Sequence, residues 1–339
     1  MIDHSAGDRT TSEGESYAMF FALVDDDRTR FDKLLNWTEA NLAGGDLTER
    51  LPAWEWGKSP AGEWKVLDQH PAADADLWLA YSLLEAGRLW REPRYNKLGS
   101  ALLTRIELEE VTIVPGLGVT LIAGAQGFHP DLNTWILNPS YLPLPLLLRM
   151  AQVDPQGPWN GVIKSLTPLL TQGSGSGFAM DWVLASDGIK PMETPSQFAA
   201  GLKDAPALGS YDAIRVYLWL GITDSATPGI KPLLGDLDGM ANYMKDQSSP
   251  PASVDSSGKV LDSKGSAGFS AAVIPFLLAR GMKVQAKQQM DRVAAQKDAV
   301  TGLVGHGEYY DQNLALFGTG WSEQRFRFDR NGMLKLKWK

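Results

Sequence analysis

Carboxylates stand at the start of three separate helical stretches of this 339-residue chain. The first is Glu13, within Thr11-Ser12-Glu13-Gly14-Glu15-Ser16-Tyr17. Ser12 followed three residues later by Glu15 fits a capping box, in which the hydroxyl accepts from an early helical N–H and the glutamate reaches back. Glu13 then falls in the first turn, near the positive end of the helix dipole, where a carboxylate can be held at the rim of a cavity. Taken alone the SxxE pattern is common, and an acid that only suits the dipole is the plain reading. The second place is Ala73-Asp74-Ala75-Asp76. Two residues apart, only one of these aspartates naturally faces a given cavity, and Asp76 reads as the N-cap. The third is Ser210-Tyr211-Asp212-Ala213-Ile214-Arg215. Asp212 and Arg215 share a helix face, and by spacing alone they read as a surface ion pair.

The elements that position these groups are helices. Tyr17, Phe20, Phe21 and Val24 recur at helical spacing and predict a helix over 12–24. Asp25-Asp26-Asp27 breaks it and can cap a second, which Phe31, Leu34, Leu35 and Leu42 line and Gly44-Gly45 ends. Further helices are predicted after Asp76, over 93–111, 144–150 and 159–170, after Asp212 to Leu220, and over 228–246, 268–280 and 284–297. The segment 51–57 holds Trp54 and Trp56 without helical period and reads as a loop, a candidate binding surface. The turn-rich stretch 115–127 suggests a small β-hairpin, and the alternating tail 325–337 a terminal strand. Helix–loop–helix units of roughly 40–50 residues predict stacked α-hairpins in a single domain over 1–339.

A chain that is 44% hydrophobic and 21% charged can bury a large core. A net charge of −8 argues against nucleic acid or anionic lipid as a partner. No apolar run is long enough to span a bilayer, and the polar start Met1-Ile2-Asp3-His4 gives no signal peptide. Cys is absent, which removes disulfides, thiolate nucleophiles and Cys-ligated metals. The four histidines, His4, His70, His129 and His306, are scattered and form no metal-ligand pattern. The glycine-rich stretches lack the spacing of a phosphate loop. Twelve tryptophans are many, and a surplus along a groove would suit stacking on pyranose faces.

Ser12-Glu13-Gly14-Glu15-Ser16-Tyr17-Ala18-Met19 resembles SEGQSYGM, the helix-start motif of family-8 glycoside hydrolases. Ala73-Asp74-Ala75-Asp76 resembles that family's A-[S/T]-D-[A/G]-D, with alanine at 73 in place of the hydroxyl residue that could orient Asp74. Ser210-Tyr211-Asp212-Ala213-Ile214-Arg215-Val216 agrees as well. Asn138-Pro139-Ser140-Tyr141-Leu142-Pro143 resembles NPSYxxP, Asp181-Trp182-Val183 resembles a PDW loop with Met180 replacing the proline, and Tyr309-Tyr310 resembles the family's paired tyrosines. The likeness covers nearly the whole chain and is greatest to the periplasmic endo-β-1,4-glucanases encoded with bacterial cellulose synthase.

The resemblance implies an all-α (α/α)6 barrel. Only about ten residues precede the acid motif, where the family has a further helix, so the expectation is a barrel lacking its first helix, with a small β excursion. It implies an inverting mechanism with Glu13 as general acid and Asp212 as general base. The sequence itself gives no carboxyl separation from which to choose between inversion and retention. Asp74 would contact the sugar at the cleavage point, and Tyr211 and Arg215 would shape the base. Trp54, Trp135, Tyr141, Tyr309 and Tyr310 would line the groove. No metal or organic cofactor is implied. The implied partners are β-1,4-glucan chains and, in function, a cellulose synthase complex, with a periplasmic or secreted location and neither nucleic acid nor membrane insertion. Burial or nearby negative charge is expected to raise the pKa of Glu13. Two alternatives stand beside this reading: a chitosanase or xylanase of the same family, and a non-catalytic glucan-binding protein.

Overall fold

The computed structural model describes residues 1–192, 208–305 and 307–338. His306, one of the four scattered histidines, lies outside them. Twelve α-helices occur among the described residues: α1 Ser12–Val24, α2 Arg28–Asn41, α3 Ala73–Leu89, α4 Pro93–Glu109, α5 Leu144–Val153 and α6 Trp159–Gly173, then α7 Ala213–Ile222, α8 Ile230–Asp236, α9 Asp238–Tyr243, α10 Ala267–Ala279, α11 Lys283–Ala295 and α12 Tyr309–Ser322. Nearly every residue of α3, α7 and α10 is buried. Helices packed on all sides have no need of a polar face. By contrast α2 buries Phe31, Leu35 and Thr38, and α11 buries Ala286, Gln289 and Val293, so each turns one stripe inward. The inner ring is α1, α3, α5, α7, α10 and α12. Helices α2, α4, α6, α8 with α9, and α11 cover it from outside. The fold is an (α/α)6 barrel, and among the described residues five of its outer positions carry helices.

Aromatic rings tie the inner ring together across its axis. Phe20 of α1 meets Trp78 of α3 at 4.9 Å, Trp78 meets Trp219 of α7 at 5.3 Å, and Trp219 meets Phe317 of α12 at 5.2 Å. Tyr17 of α1 closes the circuit on Phe317 at 5.1 Å, edge to face. Such pairs add about 0.5–1.5 kcal/mol each beyond the area they bury. Where α12 crosses α10 the backbones nearly touch. A Cβ at Gly318 would lie 2.0 Å from the Ala271 carbonyl oxygen, so only glycine fits.

Small sheets occupy the loops. Thr10–Thr11, Glu55–Lys58 and Trp64–Asp68 form one, so the segment carrying Trp54 and Trp56 runs into a strand and is not wholly a loop. Trp135–Leu137, Val183–Ser186 and Gly188–Pro191 form another, and Leu208–Gly209 pairs with the hairpin of Ser253–Asp255 and Val260–Asp262. The turn-rich stretch is a hairpin of Val111–Val114 with Gly118–Leu121. The tail forms a hairpin, Phe326–Phe328 with Leu334–Leu336, where one strand was expected. It seals the barrel end opposite Glu13. The Leu334 N–H donates to buried Glu85 at 2.9 Å, the Tyr81 hydroxyl to the Gly332 carbonyl at 2.8 Å, and the Trp338 indole to the Val24 carbonyl at 3.1 Å.

Two expected caps are corrected. Helix α1 is capped by Thr11, whose Oγ1 accepts from the Gly14 N–H at 3.2 Å. Strand pairing holds Thr11 in the extended conformation that an N-cap requires. Glu15 therefore does not turn back to the helix start; it is buried and paired with the Met1 amine. Asp76 is not the cap of α3 either. That helix starts at Ala73, whose N–H finds the Ala123 carbonyl at 3.1 Å, and Asp76 is buried inside the first turn against Glu110.

Burial, first of all, lifts both Asp76 and Glu110 well above the usual carboxyl range, and the charge of Asp76 lifts Glu110 further. A carboxyl that binds its proton more tightly when folded contributes stability at low pH and loses it as pH rises toward its folded pKa. Glu110→Gln keeps the shape without the ionisation. Its melting temperature is expected to fall less steeply than that of the wild type as pH rises from about 4.5, the ordinary glutamate value, into the alkaline range, as scanning calorimetry would show. Parallel curves would contradict this assignment.

Candidate active site

The inner helices α1, α3, α7 and α12 begin at the same end of the barrel, and Arg215 lies where they meet. It is buried in the first turn of α7. Its Nη1 donates to Glu13 Oε2 at 2.7 Å, to Asp74 Oδ2 at 2.7 Å and to the Tyr17 hydroxyl at 3.2 Å. Its Nη2 donates to Asp212 Oδ1 at 2.5 Å. One planar guanidinium thus joins three carboxylates from three helices, up to 202 residues apart in sequence. The pair read from spacing as a surface contact is the centre of the molecule. The Tyr141 ring lies 5.5 Å from the guanidinium carbon, a cation–π contact. Burial opposes the charge on Arg215, but Tyr310, Tyr17, Asp74 and Glu13 outweigh it and hold its proton more firmly than usual.

The three carboxylates differ in setting. The Asp74 side chain is 4% exposed, that of Glu13 18% and that of Asp212 28%. Asp74 Oδ1 accepts from the Ala75 N–H at 2.8 Å, so its own backbone orients it where the family has a hydroxyl at position 73. Burial raises Asp74 while Arg215 lowers it, and the net direction is up. Glu13 is pushed up to about 7. Burial is the main cause, Asp74 and Asp212 add to it, and Arg215 and a hydrogen bond from Tyr309 work against it. That bond runs from the Tyr309 hydroxyl to Glu13 Oε1 at 3.1 Å, and Thr11 Oγ1 lies 3.3 Å from the same hydroxyl.

The other aromatic candidates surround this group at varied depth. The Tyr310 hydroxyl donates to the Tyr211 carbonyl, and the Tyr211 ring, 63% exposed, rests on Phe269 and Tyr310. Trp54 is half-buried where its carbonyl accepts from the Ser12 N–H at 2.9 Å, immediately before Glu13, with Arg9 over its ring. Trp135 is packed away: it is 7% exposed, with one face on the His129 ring at 4.4 Å. Trp182 lies beside Tyr141 at 6.1 Å and stacks on Phe128 at 5.5 Å, which makes it a wall residue that the candidate residues did not include.

Two more groups were not among the candidates. The Tyr17 hydroxyl reaches Arg215 from a position that reads only as apolar helix lining. Asp181, buried, accepts from the N–H groups of Ser210, Asp212 and Ala213 at 2.8, 3.1 and 2.7 Å and from the Ser210 hydroxyl at 2.6 Å. Burial and the charge of Asp212 push Asp181 up to about 6, against the pull of those hydrogen bonds. The signals available were the Ser12–Met19 motif for Tyr17 and the Asp181-Trp182 motif for Asp181.

Comparison with known proteins agrees over the full length. The sequence profile of the family described as Glycosyl hydrolases family 8 matches residues 1–324. An endoglucanase of Xanthomonas axonopodis pv. citri is 45% identical, over 98% of this chain and 83% of its own length. An endoglucanase of Escherichia coli K12 is 43% identical, over 97% of this chain and 84% of its own. Among solved structures, an endo-1,4-D-glucanase from Vibrio fischeri ES114 matches with a TM-score of 0.86 at 38% identity, covering 100% of this chain and 94% of that one. With a family profile matched over residues 1–324 and relatives of this identity, the chain belongs to family 8 of the glycosyl hydrolases.

Proposed function

We propose that this chain is an endo-β-1,4-glucanase that cleaves cellulose chains with inversion at the anomeric carbon. One observation carries the reading: Glu13 and Asp212 come from different helices to one guanidinium, and Glu13 keeps a proton up to about pH 7. Glycosidic cleavage needs an acid that protonates the leaving oxygen and a carboxylate that activates water from the opposite face. Glu13 suits the first task, because a carboxyl that is still protonated near neutrality can donate. Asp212, the most exposed of the three, suits the second, because its water must enter from solvent. Each lies one hydrogen bond from the same guanidinium, so acid and base are held at one site. The inverting course is supported by the motif likeness. Asp74, buried against Arg215, would hold the sugar at the cleavage point. Trp54, Tyr141, Trp182 and Tyr211 offer ring faces to successive pyranoses.

The names of the relatives support glucan as substrate. Chitosan and xylan serve as control polymers, and release of reducing ends from either in preference to carboxymethylcellulose would favour the alternative enzymes. Binding of cellulose without release of reducing ends would favour a glucan-binding protein. We also propose that the enzyme works in the periplasm beside a cellulose synthase, a reading supported by the motif likeness; fractionation of the native host tests the location.

Hydrolysis of cellopentaose followed by NMR is expected to give the α-anomer first. Initial β-anomer would overturn inversion. Glu13→Gln and Asp212→Asn are each expected to lower kcat by about 10²–10⁴-fold while oligosaccharide binding persists. Near-normal turnover in either would remove that residue from its role.

The pH profile follows from Glu13. The acid must hold its proton, so kcat/KM of the free enzyme is expected to fall as pH rises through about 7. Tyr309 lowers the Glu13 pKa through its hydrogen bond, so Tyr309→Phe should move the alkaline limb upward. A limb that stays in place or moves down would separate it from Glu13.

A further inference from the structure

Asp212 occupies the N-cap position of α7, where an aspartate ordinarily turns its side chain back onto the first free N–H groups of its own helix. It does not do so here, and makes no side-chain cap bond. Its carboxylate instead reaches Arg215 Nη2 at 2.5 Å. The capping work is done from another segment. Asp181 Oδ1 accepts from the N–H groups of Ser210, Asp212 and Ala213, and Oδ2 from the Ser210 hydroxyl. The two segments are laced together around it. The Asp181 N–H donates to the Leu208 carbonyl at 2.7 Å, and the Ala179 N–H to the Tyr217 hydroxyl at 2.9 Å. Gly209 permits the approach, since a Cβ there would lie 2.2 Å from the Ala179 carbonyl oxygen.

We infer that Asp181 is the positioning residue of Asp212: by holding the N–H groups of Ser210, Asp212 and Ala213, it fixes the backbone that sets the Asp212 carboxylate on Arg215. The inference rests on the reading of Asp212 as the general base. Without Asp181, the N–H groups of Asp212 and Ala213 would be left unpaired at a nearly buried site. These N–H groups belong to the backbone that carries the Asp212 side chain, and the turn from Ser210 to Ala213 would have to shift to find them other partners. That shift would take the Asp212 carboxylate off Arg215 and out of line with the substrate. Displacement of a reacting group by about 1 Å can cost 10²-fold in rate.

The test uses Asp181→Ala and Asp181→Asn in the full chain, with cellopentaose as substrate and thermal unfolding as the check on folding. Asp181→Ala is expected to lower kcat by about 10²-fold with KM within about threefold of wild type. Asp181→Asn retains an acceptor oxygen for the three N–H groups and should lose less than about tenfold, which separates capping from charge. In an Asp212→Asn background, Asp181→Ala should cost less than about twofold more, because a residue acting through Asp212 has nothing left to position. A full additional loss there, or unchanged kcat in the single alanine variant, would overturn the inference. Asp181→Ser carries the same expectation should the alanine variant fail to fold. A crystal structure of the alanine or serine variant decides independently of activity, and so independently of the glucanase reading. Asp212 displaced from Arg215 supports the inference; Asp212 still on Arg215 refutes it.

Discussion

A guanidinium buried among helix ends is stable only while its charge is met. Arg215 meets this condition with three carboxylates and two tyrosine hydroxyl or ring contacts, and among the described residues no second cation pairs with those carboxylates. Removing one partner from a buried ion pair typically costs about 3–5 kcal/mol, because the remaining charge stays out of water. The helices α1, α3 and α7 are therefore bound to a common height: a slip of one along the barrel would withdraw its carboxylate. The arrangement also carries more negative than positive groups. Three carboxylates against one guanidinium cannot all ionise freely in a partly dry site: burial first, and the neighbouring Asp74 and Asp212 after it, push Glu13 up to about 7.

The direction of the inner helices serves the same end. Glu13 and Asp74 lie in the first turns of α1 and α3, and Asp212 at the first boundary of α7. Each stands where unsatisfied N–H groups and the helix dipole favour negative charge, by roughly 0.3–1 kcal/mol in ordinary surroundings. An α-hairpin barrel returns every inner helix in the same sense, so N-terminal ends gather at one mouth. The outer helices start at the closed end and run back to the mouth, as the packing of Glu110, just after α4, against Asp76 in the first turn of α3 shows, so their C-terminal ends stand outside the inner ring.

Much of this was legible in the sequence, for identifiable reasons. Helices whose apolar residues recur at helical period, such as α1, α4 and α11, stand within a few residues of their expected limits, as does the uniformly apolar α10. The residues around Arg215 were found through motifs, since spacing alone made Asp212 and Arg215 a surface pair. What failed depended on distant chain. Thr11 caps α1 because a strand from 55–58 fixes its backbone, and nothing local distinguishes it from Ser12. Asp76 reads as a cap until α4 delivers Glu110 against it. The expected helix over 228–246 breaks at Leu237, which is buried between α8 and α9. Trp135 gave no sign that His129 would cover it, and Asp181 none that it would serve a helix some thirty residues on.

The hairpin that seals the far end of the barrel gives the molecule an order of assembly in time. Its bonds join residues at the extremes of sequence separation: Glu85 to Leu334 across 249 residues, Tyr81 to Gly332 across 251, and Val24 to Trp338 across 314. A chain emerging from the ribosome makes the helices in sequence, and their local contacts can form as each pair appears. The tail is made last. Until it arrives, Phe20 lacks Phe326 and Phe328, and the floor beneath the aromatic circuit of α1, α3, α7 and α12 is open to water. The barrel thus has a vectorial order: the residues at its mouth come from early and middle segments, while cover for its core waits for the hairpin of Phe326–Phe328 and Leu334–Leu336.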